Sequence, residues 1–186
     1  MFIQTETTPN PATLKFIPGR VVLPDGTEDF RTPDEAVRSP LAEKLFGIEG
    51  VSGVFFGHDF VTVTKAGAEW PHLRPAILGV IMEHFMSGAP VMRDSGGDEP
   101  VAGEEFFDPS DAQTVATIKE LLETRVRPAV ANDGGDITFK GFRDGVVYLN
   151  MKGACAGCPS STATLRHGIQ NLLRHFLPDV QEVRAA

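Results

Sequence analysis

The two cysteines of this chain lie together in the stretch Gly153-Ala154-Cys155-Ala156-Gly157-Cys158-Pro159. Small residues surround both thiols, so the backbone can fold tightly about a bulky ligand. Pro159 suits the first position of a helix, which places Cys158 near a helix N-terminus whose dipole and unbonded amides favour a thiolate. Because the thiolate is the form that binds metals, the stretch predicts a metal or redox site between a strand and a helix.

The residues around the cysteines predict a β-hairpin before them and a helix after them. Residues 136–142 and 146–151 flank the turn Arg143-Asp144-Gly145, and two such runs joined by a tight turn are typical of a hairpin. The helix after the cysteines should end before Pro178, with a final strand near residues 180–183. Its core face is predicted, from helical spacing, on Leu165, Ile169, Leu172 and Phe176.

Another helix is predicted before the hairpin. Ser110 and Gln113 are spaced as a capping box, and apolar residues follow at helical spacing until Pro128, which should kink or end the helix. Carboxylates and glycines are then combined in Asn132-Asp133-Gly134-Gly135-Asp136. A calcium or phosphate loop is one interpretation, but an EF-hand would need further ligands and a closing Glu. A helix-to-strand turn is the favoured prediction.

The chain is predicted to form two small α+β domains, residues 1–87 and residues 109–186. The first should contain strands at 1–5 and 13–17, a short helix at 41–48, a hairpin over 54–64 and a helix from Pro71 to about Gly88. The second should run helix, two strands, cysteine loop, helix, strand. Residues 88–108 lack apolar periodicity and carry six carboxylates against the single Arg93, which indicates a flexible linker.

Composition and charge restrict the classes of molecule that this chain is expected to bind. The chain has a net charge of −8 and no basic run, so it would gain little counterion release on nucleic acid, and protein partners are expected instead. No apolar run approaches membrane-spanning length, so no membrane partner is expected. The first residues show neither a signal peptide nor a transit peptide, which predicts a cytoplasmic location.

Two thiolates leave three kinds of site open. A cubane cluster or a structural zinc needs four ligands, which a symmetric dimer with facing cysteine loops would supply. A thiol-disulfide oxidoreductase would use the dithiol directly, but a hairpin precedes this loop where a redox site of that kind has a parallel crossover. A dimeric zinc protein is the third interpretation. His167 and His175 are predicted to be solvated residues of the last helix rather than ligands.

Several motifs, in order, resemble the Nfu family. The C-terminal domain of NifU is resembled by Val126-Arg127-Pro128, Asp133-Gly134-Gly135-Asp136, the cysteine stretch with Ser160, and Thr164-Leu165. The Nfu N-terminal domain is resembled by residues 2–19, 39–65 and 70–88. The resemblance covers nearly everything except the linker, and the order of several independent motifs makes it far more specific than the cysteine spacing alone.

The resemblance implies a non-enzymatic iron-sulfur scaffold or carrier. Such a protein would bind a 4Fe-4S cluster between two protomers, with Cys155 and Cys158 as ligands. It would be a homodimer when the cluster is bound, and its partners would be upstream assembly factors and the apoproteins that receive the cluster. The first domain has no thiol, so the resemblance implies that it recognises or positions partners.

Overall fold

The computed structural model describes residues 2–93, 105–156 and 159–186, with the side chains of residues 159–162 outside the description. The chain divides into two compact units, Met1–Gly97 and Asp98–Ala186. Each has its own apolar core. Both units combine helices with a sheet, so the predicted α+β class is confirmed.

The N-terminal unit is a five-stranded antiparallel sheet with helices on its apolar face. Its strands stand in the order β1-β2-β5-β4-β3. The elements are β1 (Gln4–Thr7), β2 (Thr13–Ile17), β3 (Glu28–Phe30), α1 (Pro33–Ala36), α2 (Pro40–Phe46), β4 (Val51–Phe56), β5 (Val61–Lys65) and α3 (Trp70–Ser87). The sequence prediction missed β3 and α1.

Apolar periodicity explains how the helices attach to this sheet. Leu73, Ile77 and Ile81 recur every four residues along α3, and all three are buried in one cluster with Leu41 of α2 and Val63 of β5. A four-residue spacing places side chains on one helix face. The opposite face of the sheet carries the alternate residues of each strand.

The C-terminal unit packs helices on a three-stranded sheet. Its elements are α4 (Ala112–Leu121), α5 (Arg127–Asn132), β6 (Gly135–Arg143), β7 (Val146–Gly153), α6 (Pro159–Phe176) and β8 (Glu182–Ala185). The hairpin strands β6 and β7 are antiparallel, and β8 joins β7 in parallel. The element order is the predicted one. Within the described residues, no helix of the chain is long and apolar enough to cross a membrane.

The start of α4 differs from the capping-box prediction. A short 3₁₀ turn, Pro109–Asp111, precedes α4, and the Asp108 carboxylate accepts hydrogen bonds from the Ser110 amide at 2.9 Å and from the Ser110 hydroxyl at 2.7 Å. Ser110 therefore donates to a cap and does not act as one. Asp108 is the cap instead, because Pro109 directly after it takes the first helical position.

Two further sequence predictions about helices need correction or refinement. Pro128 neither ends nor breaks the helix, because a π-helical stretch, Leu122–Val126, joins α4 to α5. In α6, helical spacing predicts Phe176 in the core, but this residue is 47% exposed. Leu173, which the spacing does not select, is fully buried. Residue 176 is the last residue of α6.

The two ends of the predicted linker make contacts with their own units. The Ser39 hydroxyl donates to the Val91 carbonyl at 2.5 Å, and Arg93 pairs with Glu43 at 2.6 Å. On the other side, the Phe106 backbone bonds to the edge of β6, accepting from the Phe142 amide at 2.8 Å. Residues 94–104 of the predicted linker lie outside the described residues.

Candidate metal centre

Cys155 lies in the loop between β7 and α6, with 5% of its surface exposed. The loop begins at Gly153, whose φ of 63° turns the chain out of the strand. The Ala154 amide then donates to the Gly134 carbonyl at 3.1 Å, so the loop is bonded to the turn before β6. Cys158, the second predicted ligand, lies outside the described residues.

Of the two glycines in that turn, Gly134 turns the chain and Gly135 makes room for the thiol. Gly134 has a φ of 79°, the left-handed conformation that ends α5, so the predicted helix-to-strand turn is confirmed. Gly135 is the first residue of β6 and pairs with Gly153. A Cβ on Gly135 would lie 2.5 Å from the Cys155 sulfur and 2.9 Å from the Lys152 carbonyl oxygen. No side chain fits at this position while the thiol occupies its place.

Asp136, next to Gly135, ties the turn to α5 through a bidentate ion pair. Its carboxylate lies 2.8 Å from Nε and 2.9 Å from Nη2 of Arg127, and it also accepts from the Ile137 amide at 2.9 Å. Asp136 is almost fully buried, and two parallel bonds fix the orientation of both groups. The hydrogen bonds to Asp136 and the charges of Asp136 and Glu123 raise the pKa of Arg127.

The π-helical stretch is what brings Arg127 to this position. Pro128 has no N–H, and its ring would clash with the carbonyl four residues earlier in a regular helix. The backbone responds by widening: the Arg127 amide donates to the Leu122 carbonyl, five residues back. Such π-bulges are frequent at functional sites because they turn a side chain away from its regular direction. Here the chain continues into α5, and Arg127 reaches Asp136.

Together these residues form what we call the cradle of the Cys155 thiol. Gly134, Gly135 and Gly153 shape the backbone around the thiol. The ion pair between Arg127 and Asp136 fixes the turn to α5. Within the described part of the chain, no three His, Cys, Asp or Glu side chains come together as a ready metal site. A metal held at Cys155 therefore needs ligands from outside these residues. His167 and His175 lie exposed on α6, as expected of solvated residues.

Sequence reasoning recognised the turn but missed what it supports. One sign of it was available: Gly135 and Gly153 stand just outside the two predicted hairpin strands, and they pair with each other in the register. Two facing glycines in a ladder indicate that something must approach the backbone closely. The Arg127–Asp136 pair gave no comparable signal, because only the π-helical geometry brings it together.

Two family models match the chain, "Scaffold protein Nfu/NifU N terminal" over residues 3–88 and "NifU-like domain" over residues 118–184. The chain is 52% identical, over 98% of its length and 71% of the relative's, to the human protein named NFU1 iron-sulfur cluster scaffold homolog, mitochondrial. This chain belongs to the Nfu family. The Nfu resemblance seen in the sequence is thereby confirmed.

Other relatives of this Nfu chain cover it as fully. Identity is 52% to the NFU1 homolog of Drosophila erecta, of which the chain spans 64%, and 49% to NifU-like protein 4, mitochondrial, of Arabidopsis thaliana, of which it spans 65%. Among solved structures, a NifU-like protein from Saccharomyces cerevisiae shares 26% identity over 50% of this chain and 86% of its own, with a TM-score of 0.46.

The predicted cytoplasmic location is wrong by this comparison. The human, Drosophila and Arabidopsis relatives are all named mitochondrial. The prediction rested on the composition of the first residues, and a compartment address is read by receptors rather than written into the composition of a folded domain.

Proposed function

We propose that this Nfu chain carries a 4Fe-4S cluster held by Cys155 and Cys158 between two copies of the chain, and transfers it to apoproteins. The observation that supports this most is the cradle at Cys155, where the lack of a side chain at Gly135 leaves the space that the Cys155 sulfur occupies. The names of the relatives, iron-sulfur cluster scaffolds, favour a cluster over zinc as the ligand of such a thiol.

The proposal of a shared cluster follows from the ligand count. A cubane cluster takes four thiolates, and each chain has two cysteines. Two chains related by a two-fold axis supply four. A cluster held at such a junction is bonded to each chain through only two sulfurs, so half of its ligand shell can leave with one protomer.

Transfer in this scheme is an exchange of ligands and needs no catalytic residue. A thiolate of the recipient protein bonds to a cluster iron as a cysteine of this chain leaves, so no electron is gained or lost and the number of iron-sulfur bonds is unchanged. The proton released by the incoming thiol balances the one taken up by the departing thiolate. The protein therefore acts as a scaffold or carrier, with upstream assembly factors supplying the cluster and apoproteins receiving it.

We further propose a division of labour, with cluster chemistry in the domain of residues 109–186 and partner recognition or positioning in that of residues 1–87, joined by the linker at 88–108. Both cysteines belong to the C-terminal part. The N-terminal unit has no thiol, and its described residues contain no cluster of metal-binding side chains.

Anaerobic reconstitution with iron and sulfide tests this function. We expect about four irons and four sulfides per pair of chains, a Mössbauer spectrum of a cubane, and loss of stable binding in both Cys155→Ser and Cys158→Ser. Zinc retained in place of iron would favour the zinc protein, and a reversible disulfide with no metal would favour the oxidoreductase. A full cluster complement in either serine variant would refute the assignment of ligands.

A further inference from the structure

The C-terminal unit has an apolar groove that the cluster site does not use. The groove has a volume of about 320 Å³ and runs between α6 and the stretch formed by the π-helical residues and α5. Aliphatic side chains form its walls, and a glycine and a cation lie at its surface. Its lining includes Arg125, Val126, Ala129, Leu165, Gly168 and Leu172.

The absence of a side chain at Gly168 has no explanation within the C-terminal unit itself. Glycine in a helix interior costs stability relative to alanine, so it usually has a local reason such as a positive φ or a close neighbour. Gly168 lies within α6, its φ is not positive, and a Cβ there would meet no atom within 4 Å. A Cβ on Gly135, by contrast, would collide with the Cys155 sulfur. The space over Gly168 is open, so its lack of a side chain suits the close approach of another molecule.

The charges around the groove favour an acidic occupant. The guanidinium of Arg125 stacks on the ring of Phe176, 5.5 Å from its centroid, and among the described residues no carboxylate pairs with it. α6 has no acidic residue and carries four basic or titratable ones, Arg166, His167, Arg174 and His175. A second copy would bring the same positive helix, which repels self-docking through this face.

We propose that this groove binds an amphipathic helix of a partner protein, with aliphatic side chains entering over Gly168 and a carboxylate meeting Arg125. Helices that dock in grooves use aliphatic anchors at i, i+3, i+4 and i+7, which suits an apolar groove between helices with a cation at its surface. That the partner exchanges a cluster with this chain rests on the proposed function. The docking itself does not, because neither proposed cluster ligand is among the residues that line the groove.

The test uses the full chain and two synthetic helical peptides of about 16 residues. Both carry leucine at i, i+3, i+4 and i+7, and their remaining surface is glutamate in one and lysine in the other. We expect the glutamate peptide to shift the amide NMR signals of residues 125–130 and 164–172, and to bind about tenfold more tightly than the lysine peptide. The preference should fall as salt is raised.

Three variants localise the binding. Gly168→Leu fills the slot and Arg125→Glu reverses the cation, and each should weaken the glutamate peptide about tenfold. Gly79→Leu is the matched control: Gly79 is also a glycine inside a helix, α3, with no atom within 4 Å of a Cβ, but it lies in the other unit. It should bind the peptide as the wild type does.

Several results would overturn the proposal. These are no binding of the glutamate peptide, equal binding of the two peptides, or full binding by Gly168→Leu. Self-association of the wild type that Gly168→Leu abolishes, without peptide binding, would make a second copy the occupant. Iron analysis of the same preparations separates the two ideas: selective peptide binding by a chain that takes up no cluster would refute the proposed function and leave the groove proposal standing.

Discussion

At the scale of single residues, the site depends on a position that has no side chain. Gly135 matters because it has no Cβ, and the space so left is filled by the Cys155 sulfur. The sequence shows a glycine there but not what approaches it, since the approach depends on a register between β6 and β7 and on the fold of the loop after them. The cysteines themselves were recognisable from their spacing, whereas the cradle around Cys155 was not.

Gly135→Ala and Gly168→Ala should therefore have opposite effects. The first forces the sulfur or the Lys152 carbonyl to move, so we expect a loss of about 1–3 kcal/mol in the free energy of unfolding of the C-terminal unit, with lower iron uptake. The second places a methyl group in open space on a helix, so we expect a gain of about 0.5–1 kcal/mol. Urea titrations measure both. Equal effects of the two substitutions would contradict the account of the cradle.

His84 makes the N-terminal unit sensitive to acid. It is fully buried, and neither ring nitrogen has a hydrogen-bond partner in the described part of the unit, although the backbone of Ala89 and Pro90 lies near. Burial first, and then the charge of Lys44, lower the pKa of His84 below its ordinary 6.5. In the unfolded chain the ring takes up a proton near the ordinary value, while in the folded unit it does so only at lower pH.

Stability of the N-terminal unit should consequently fall as the pH drops from 6.5 toward the lowered pKa of His84, and level off below it. Substitution by an apolar ring, His84→Phe, removes this term. Urea unfolding followed by the fluorescence of Trp70 at a series of pH values between these limits should show a steeper decline for the wild type. Parallel curves for the two proteins would mean that the buried ring does not govern the acid response.

At the scale of elements, the longer and more periodic segments were predictable and the short ones were not. Both hairpins and α3 followed from alternation, turn residues and helical spacing. The strand β3 is only Glu-Asp-Phe and forms by pairing with β4, which is distant in sequence. In α6, Leu172 and Leu173 are adjacent, so helical spacing alone allows either to define the core face. Packing on the sheet selects Leu173.

Phe106 packs on the C-terminal unit although it lies in the predicted linker at residues 88–108. Its backbone extends the edge of β6, and its ring occupies the space where a side chain at Gly141 would lie. The free energy of unfolding should be about 1–2 kcal/mol larger for a fragment that begins at Glu105 than for one that begins at Asp108, because the shorter fragment lacks the buried part of this ring.

The matching control for the fragments uses Gly141→Ala. In the longer fragment the new methyl group collides with the Phe106 ring and should destabilise the unit, whereas in the shorter one the collision partner is gone. Urea midpoints of the four proteins form a double-mutant cycle whose coupling reports this one contact. Zero coupling would show that the ring does not sit against β6 in solution.

At the scale of the whole molecule, the chain has two units with separate cores, and both of its thiols belong to the C-terminal unit. If a cluster joins two chains through four cysteines, cluster binding and dimer formation are one equilibrium. The cysteine loop contains Ala and Gly and offers little apolar area, so apo chains should associate weakly and the cluster should supply most of the affinity.

Removal of the cluster should thus release monomers, and dilution of the holo protein should speed cluster loss. An added small thiol should accelerate it further by replacing the ligands of one protomer. Sedimentation of holo and apo protein at matched concentrations decides the question. A cluster-bearing monomer in the absence of small thiol, or an apo form as firmly dimeric as the holo form, would refute the coupling.

The burial of Cys155 has a kinetic consequence. Because Cys155 as a residue is only 5% exposed, its sulfur must be uncovered before a reagent can reach it, so we expect the loop to open from the Gly134 turn first. With Cys158→Ser in place, the alkylation rate of the remaining thiol, divided by that of an unfolded peptide containing the same sequence, gives the fraction of time the loop spends open. If the chain exchanges a cluster as proposed, the fraction of time that the loop is open therefore limits how often an exchange can begin.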